Sequence, residues 1–196
     1  MAAMDLRFTP AERILGVQWI AANVVGWVIG FAVCEAVKSV LFVLTHFNSD
    51  GLVIGAAMGT AQWLVLRRRM APVRWWVVAS IVGFGVGRLL GDAAAQGVSA
   101  SLGYALSGAI LGVSVGLAQW LILRRHAAQA GWWVPACGLA WAVGWSIIGL
   151  VEEAAGLPTL TVYVVTSVGA AVVATITGTV LIWLLRTRQA GVVPAS

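Results

Sequence analysis

The stretch 51–69, GLVIGAAMGTAQWLVLRRR, recurs almost intact at 107–125 as SGAILGVSVGLAQWLILRR. Gly55 and Gly59 correspond to Gly112 and Gly116, Gln62-Trp63 to Gln119-Trp120, and Arg67 to Arg124. Each copy is an uncharged run of helix length, with a glycine every fourth residue and an arginine cluster at its end. Such a segment has few folded options. Within a bilayer only a helix or a closed barrel satisfies the backbone. Glycines four apart share one helix face, where small residues let neighbouring backbones approach closely. The expected element is a transmembrane helix with a packing face, an interfacial tryptophan and a cationic stop.

Composition extends this reading to the whole chain. Hydrophobic residues make up 61% and charged residues 10%, against roughly half and a quarter in soluble domains. The formal net charge of +5 could suggest nucleic acid, but the charges are placed otherwise. Ten of the twelve basic residues, among them Arg13, Arg67, Arg74, Arg124 and Arg186, flank apolar runs. Five of the seven acidic residues (Glu35, Asp50, Asp92, Glu152 and Glu153) fall at the opposite helix ends. This is the positive-inside pattern. It predicts a multi-pass protein of the bacterial inner membrane, with an even number of spans and both termini cytoplasmic. Nucleic acid is not an expected partner.

The repeat sets the organisation. Trp19, Trp76 and Trp133 are spaced by 57 residues, as are Arg67 and Arg124. Gly26 and Gly30 recur as Gly83 and Gly87, then as Ala140 and Gly144. The expected fold is all-α: one transmembrane domain of six helices in three tandem hairpins, at about 14–69, 74–125 and 132–188. The spans fall near 14–36, 51–68, 74–95, 103–123, 132–152 and 162–185. In the third hairpin Gln-Trp is lost, and Gly178 and Arg186 stand 62 residues after Gly116 and Arg124. Thr9-Pro10-Ala11-Glu12 reads as a capping box that starts the first helix, and no secretory signal pattern precedes it. Cys34 and Cys137 fall at different depths, so two buried thiols are expected rather than a disulfide.

The glycine ladders, with Gly55, Gly59, Gly83, Gly87, Gly112 and Gly116 at their centres, are read as helix-packing faces. Gln62 and Gln119 share one repeat position, and Asn23, Ser80 and Cys137 another; both sets suit hydrogen bonding between helices. Trp63, Trp76, Trp120 and Trp133 sit near arginines or loops, as interfacial anchors should. Trp27, Trp141 and Trp145 lie deeper, and could pack in the core or stack on a pigment, sterol or quinone.

Function, where visible, lies in polar residues within the spans. Arg88 is fourteen residues beyond Arg74, about 21 Å along a helix axis, and Asp92 one turn later can pair with it. With Glu35, Lys38 and Glu152 these form a candidate charged cluster at the outer side. Intramembrane ionisable residues suggest function by default, while a snorkelling pair would only staple helix ends. His46 reads as a solvated residue near a helix end.

The runs QWLVLRRR and VRWWVVASIVGFGVG, repeated as QWLILRR and AGWWVPACGLAWAVG, resemble an uncharacterised group of bacterial multi-pass membrane proteins with such repeats, over about 51–149. The resemblance implies a repeated membrane fold and carries no activity. The three-hairpin plan is also similar to that of mitochondrial carriers, and Glu35-Ala36-Val37-Lys38 matches the acidic-to-basic pairs ending their odd helices. The kinking prolines of those carriers are absent. No paired-histidine motif, metal-spaced cysteines, nucleophile elbow or phosphate loop occurs, so no enzyme, metal or resident cofactor is expected; a bound lipid or pigment would fit. Two functions remain. One is a non-catalytic bundle that self-associates or serves as an accessory subunit of a larger membrane complex, with membrane lipids, other subunits or its own copies as partners. The alternative is a small-solute channel or transporter using the charged cluster. Outward-facing glycines and tryptophans would favour assembly, and polar groups facing the bundle axis would favour transport.

Overall fold

The computed structural model describes residues 8–45, 50–70, 73–153 and 159–190. Six α-helices account for most of them: α1 Pro10–Thr45, α2 Asp50–Leu66, α3 Trp76–Ala95, α4 Ala100–Leu123, α5 Trp133–Glu153 and α6 Thr159–Ala190. No strand occurs among the described residues. The capping box is formed: Thr9 N donates to Glu12 Oε2 at 2.7 Å and Glu12 N to Thr9 Oγ1 at 3.3 Å. The threonine- and valine-rich 159–179 is helical despite its strand propensity, because a helix satisfies its own backbone in an apolar setting.

Five helices, α1 and α3 to α6, are long and apolar enough to cross a membrane. α2 falls short of the expected span. It has 17 residues, about 26 Å at 1.5 Å per residue, against a hydrocarbon core of ~30 Å. It stops at Leu66 because Arg67, Arg68 and Arg69 turn out of the helix.

The helices form a closed ring. Each packs antiparallel on the next, and α6 returns to α1. Glycine faces are the seams. A Cβ on Gly59 would stand 2.6 Å from Ser80 Cβ, one on Gly83 2.7 Å from Val115 Cα, and one on Gly87 2.8 Å from Leu111 Cα. Gly55 backs onto the Ser80 carbonyl, and Gly112 and Gly116 onto Cys137 and Val134. At the α1–α6 seam the Arg186 guanidinium pairs with Glu12, Nη2 to Oε2 at 2.7 Å, so the cap of the first helix also ties down the last. Large apolar side chains such as Val17, Leu102 and Leu139 face outward.

Both cysteines are free and buried. The tryptophans divide differently from expectation. Trp76 and Trp133 are 0% and 1% exposed: they are core residues, not interfacial anchors. Their neighbours Trp75 and Trp132 are 57% and 64% exposed, because successive residues at a helix start point about 100° apart. Trp63 and Trp120 are half-buried, with Arg67 and Arg124 stacked on their rings at 4.9 and 5.2 Å.

Candidate functional site

The odd helices each present one residue per turn to the ring axis, and these residues meet in layers. Nearest the arginine-rich end, Trp19, Trp76 and Trp133 form a triangle with centroids 6.4, 6.1 and 6.2 Å apart, all edge-on. Each indole donates to the even helix beside it. Trp76 Nε1 reaches Gln62 Oε1 at 2.9 Å, Trp133 Nε1 reaches Gln119 Oε1 at 3.0 Å, and Trp19 Nε1 reaches Thr177 Oγ1 at 3.1 Å. Thr177 thus takes the place of the glutamines. It lies 58 residues after Gln119, so the third even helix is set one turn away from the register expected from Gly178 and Arg186. Gly178 instead lies against Trp19.

Asn23, Ser80 and Cys137 form the next layer, each less than 3% exposed. Gln62 Nε2 donates to Asn23 Oδ1 at 2.8 Å, and Gln119 Nε2 donates to Ser80 Oγ at 3.0 Å and to Gln62 Oε1 at 3.1 Å. Asn23 and Ser80 in turn donate to the Trp19 and Trp76 carbonyls. Every side chain named in this network has a partner, as a buried polar group requires. The axis is filled here.

The third layer is aromatic. Trp141 meets Trp27 at 5.9 Å and Phe84 at 5.2 Å. Above it the layer of Phe31, Arg88 and Trp145 does not close. A cavity of about 190 Å³ opens there, lined from all six helices by residues that include Phe31, Ile54, Arg88, Tyr104, Trp145 and Thr166. A second space of about 230 Å³ lies between the end of α3 and the start of α4, sharing Arg88, Tyr104 and Trp145 with the first. Engineered apolar cavities of roughly 150 Å³ hold benzene, so the axial cavity is large enough for one substituted ring.

Arg88 pairs with Asp92 through Nε at 3.3 Å, with side chains 30% and 46% exposed, and its guanidinium stacks over Trp145 at 4.9 Å. This is a half-exposed pair rather than a sealed one. Glu35 is exposed, whereas Asp50 lines the cavity. The side chains of Lys38 and Glu152, and all of His46, lie outside the described residues. Of the expected charged cluster, the structure brings Arg88 and Asp92 together. Two indole nitrogens, Trp27 Nε1 and Trp145 Nε1, are buried without a hydrogen-bond partner. An unpaired buried donor costs about 1–3 kcal/mol, in contrast to the three satisfied indoles of the triangle.

Reasoning from sequence missed the layer that frames the cavity. Arg88 stands 57 residues after Phe31 and 57 before Trp145, a cation at a position where the other two odd helices carry aromatics. That signal was present in the spacing. In comparisons with protein families, curated proteins and solved structures, nothing matches this chain.

Proposed function

We propose that this chain is a non-catalytic membrane protein that binds a small membrane-dissolved molecule in its axial cavity. The cavity lined by all six helices is the observation that carries the reading. It ends on aromatic and amide layers that fill the axis, so the arrangement suits a one-ended binding site better than a pore. The glycine faces serve seams within the ring, which removes them as dimerisation faces and favours the ligand-handling class over assembly. Three tandem hairpins make up the ring, and the paired Trp76–Gln62 and Trp133–Gln119 contacts, 57 residues apart, support that organisation. α2 crosses with its neighbours as the shortest of six spans. The arginine-rich end and both termini are cytoplasmic, in a bacterial inner membrane.

Native mass spectrometry from mild detergent tests the reading. One small molecule should be retained per chain and lost in Val162→Trp, which fills the cavity mouth. A bare polypeptide mass in a stable oligomer would favour assembly instead.

A further inference from the structure

Both the charge around the cavity and its unpaired donors restrict what it can hold. Arg88 is balanced by Asp92 at 3.3 Å, and Asp50 also lines the cavity. An anionic head would meet two carboxylates with one guanidinium, already paired. A cationic head would meet that guanidinium, which covers a face of Trp145. An uncharged head avoids both conflicts. The unpartnered N–H groups of Trp27 and Trp145 call for acceptor atoms. Both nitrogens are sealed from solvent, so a ligand oxygen reaches them once the indoles turn toward the cavity. Guanidinium carries five donors, and among the described residues Arg88 is engaged by Asp92 and Trp145 alone. The walls are aromatic, with Trp27, Phe31, Phe84 and Trp145 on three helices, and suit a flat ring by offset or edge contacts. The adjoining groove is lined by Ala95, Val98, Ala100 and Gly103, small or short apolar residues that leave room for a chain.

We infer that the cavity takes the uncharged, acceptor-bearing ring of a membrane amphiphile of quinone type, whose tail lies in the groove between α3 and α4. This rests on the proposed binding function and names its ligand class.

The full chain in lipid nanodiscs can be titrated with three probes: a decyl-substituted benzoquinone, decylbenzene and decanoate. The quinone should bind saturably, one per chain, and about tenfold more tightly than either other probe. Trp145→Phe keeps a ring and removes the N–H, and should weaken the quinone about fivefold while leaving decylbenzene unchanged. Gly103→Leu should weaken the decyl quinone and leave a tail-less benzoquinone unaffected. Equal binding of decylbenzene overturns the acceptor requirement, and equal or tighter decanoate overturns the uncharged head; either leaves the binding function standing. Failure of all three probes to saturate contradicts the binding function itself.

Discussion

The two ends of the ring are built from the same helices and differ in how their repeated positions are filled. At the arginine-rich end, residues 57 apart are alike or complementary: three tryptophans, two glutamines and a threonine that stands in for a third. Like groups at like positions interlock, and each indole N–H finds an acceptor. At the acidic end the corresponding residues are Phe31, Arg88 and Trp145. Unlike side chains cannot tile a threefold axis, and a cavity with unpaired donors results. Divergence within a repeat, rather than any inserted element, makes the site.

Several substitutions separate the two ends, judged by unfolding in detergent. Gly112→Leu should have the largest effect, about 3 kcal/mol or more or loss of folding, because its Cβ would enter the Cys137 backbone. Gly103→Leu at the cavity end should change stability by less than about 1 kcal/mol, since the nearest atom to an added Cβ is Ala95 Cβ at 3.5 Å. A comparable loss from both would erase the distinction between filled and open ends. Gln119→Leu should cost about 2 kcal/mol by orphaning the Trp133 N–H and removing the links to Gln62 and Ser80; a neutral outcome would mean the amide network adds nothing. Glu12→Ala should cost about 1–2 kcal/mol, combining a lost cap with a lost half-exposed ion pair. Arg88→Ala should cost less than about 1 kcal/mol, and adding Asp92→Ala should restore nothing, because the pair is half-exposed. Strong destabilisation with rescue in the double variant would make Arg88 structural and weaken its assignment to the cavity.

Much of the ring was legible in the residues. Glycine spacing located the seams at Gly55, Gly59, Gly83, Gly87, Gly112 and Gly116, since only a helix places every fourth residue on one face. Gln62 and Gln119 were readable as hydrogen-bonding groups because an amide in an apolar span needs a partner. Which tryptophan of each Trp-Trp pair turns inward was not readable: both suit an interface by composition, and the helix phase at its first turn decides. The register of α6 was misjudged by one turn because its Gln-Trp landmark is missing, leaving Gly178 as a misleading guide. The cavity escaped notice because its walls come from six helices whose distances apart no local pattern encodes.

The central claim is that the axis is closed at the arginine-rich end and open to a cavity at the acidic end. Cysteine accessibility tests it most directly. In a Cys34→Ala background, native Cys137 reports the filled layer, being 2% exposed, and Ile54→Cys reports the cavity wall. A small charged thiol reagent added from the acidic side should label Ile54→Cys within minutes and leave Cys137 unmodified in the folded protein. Labelling of Cys137 at a similar rate would mean a water path through the tryptophan and amide layers, and would contradict the account.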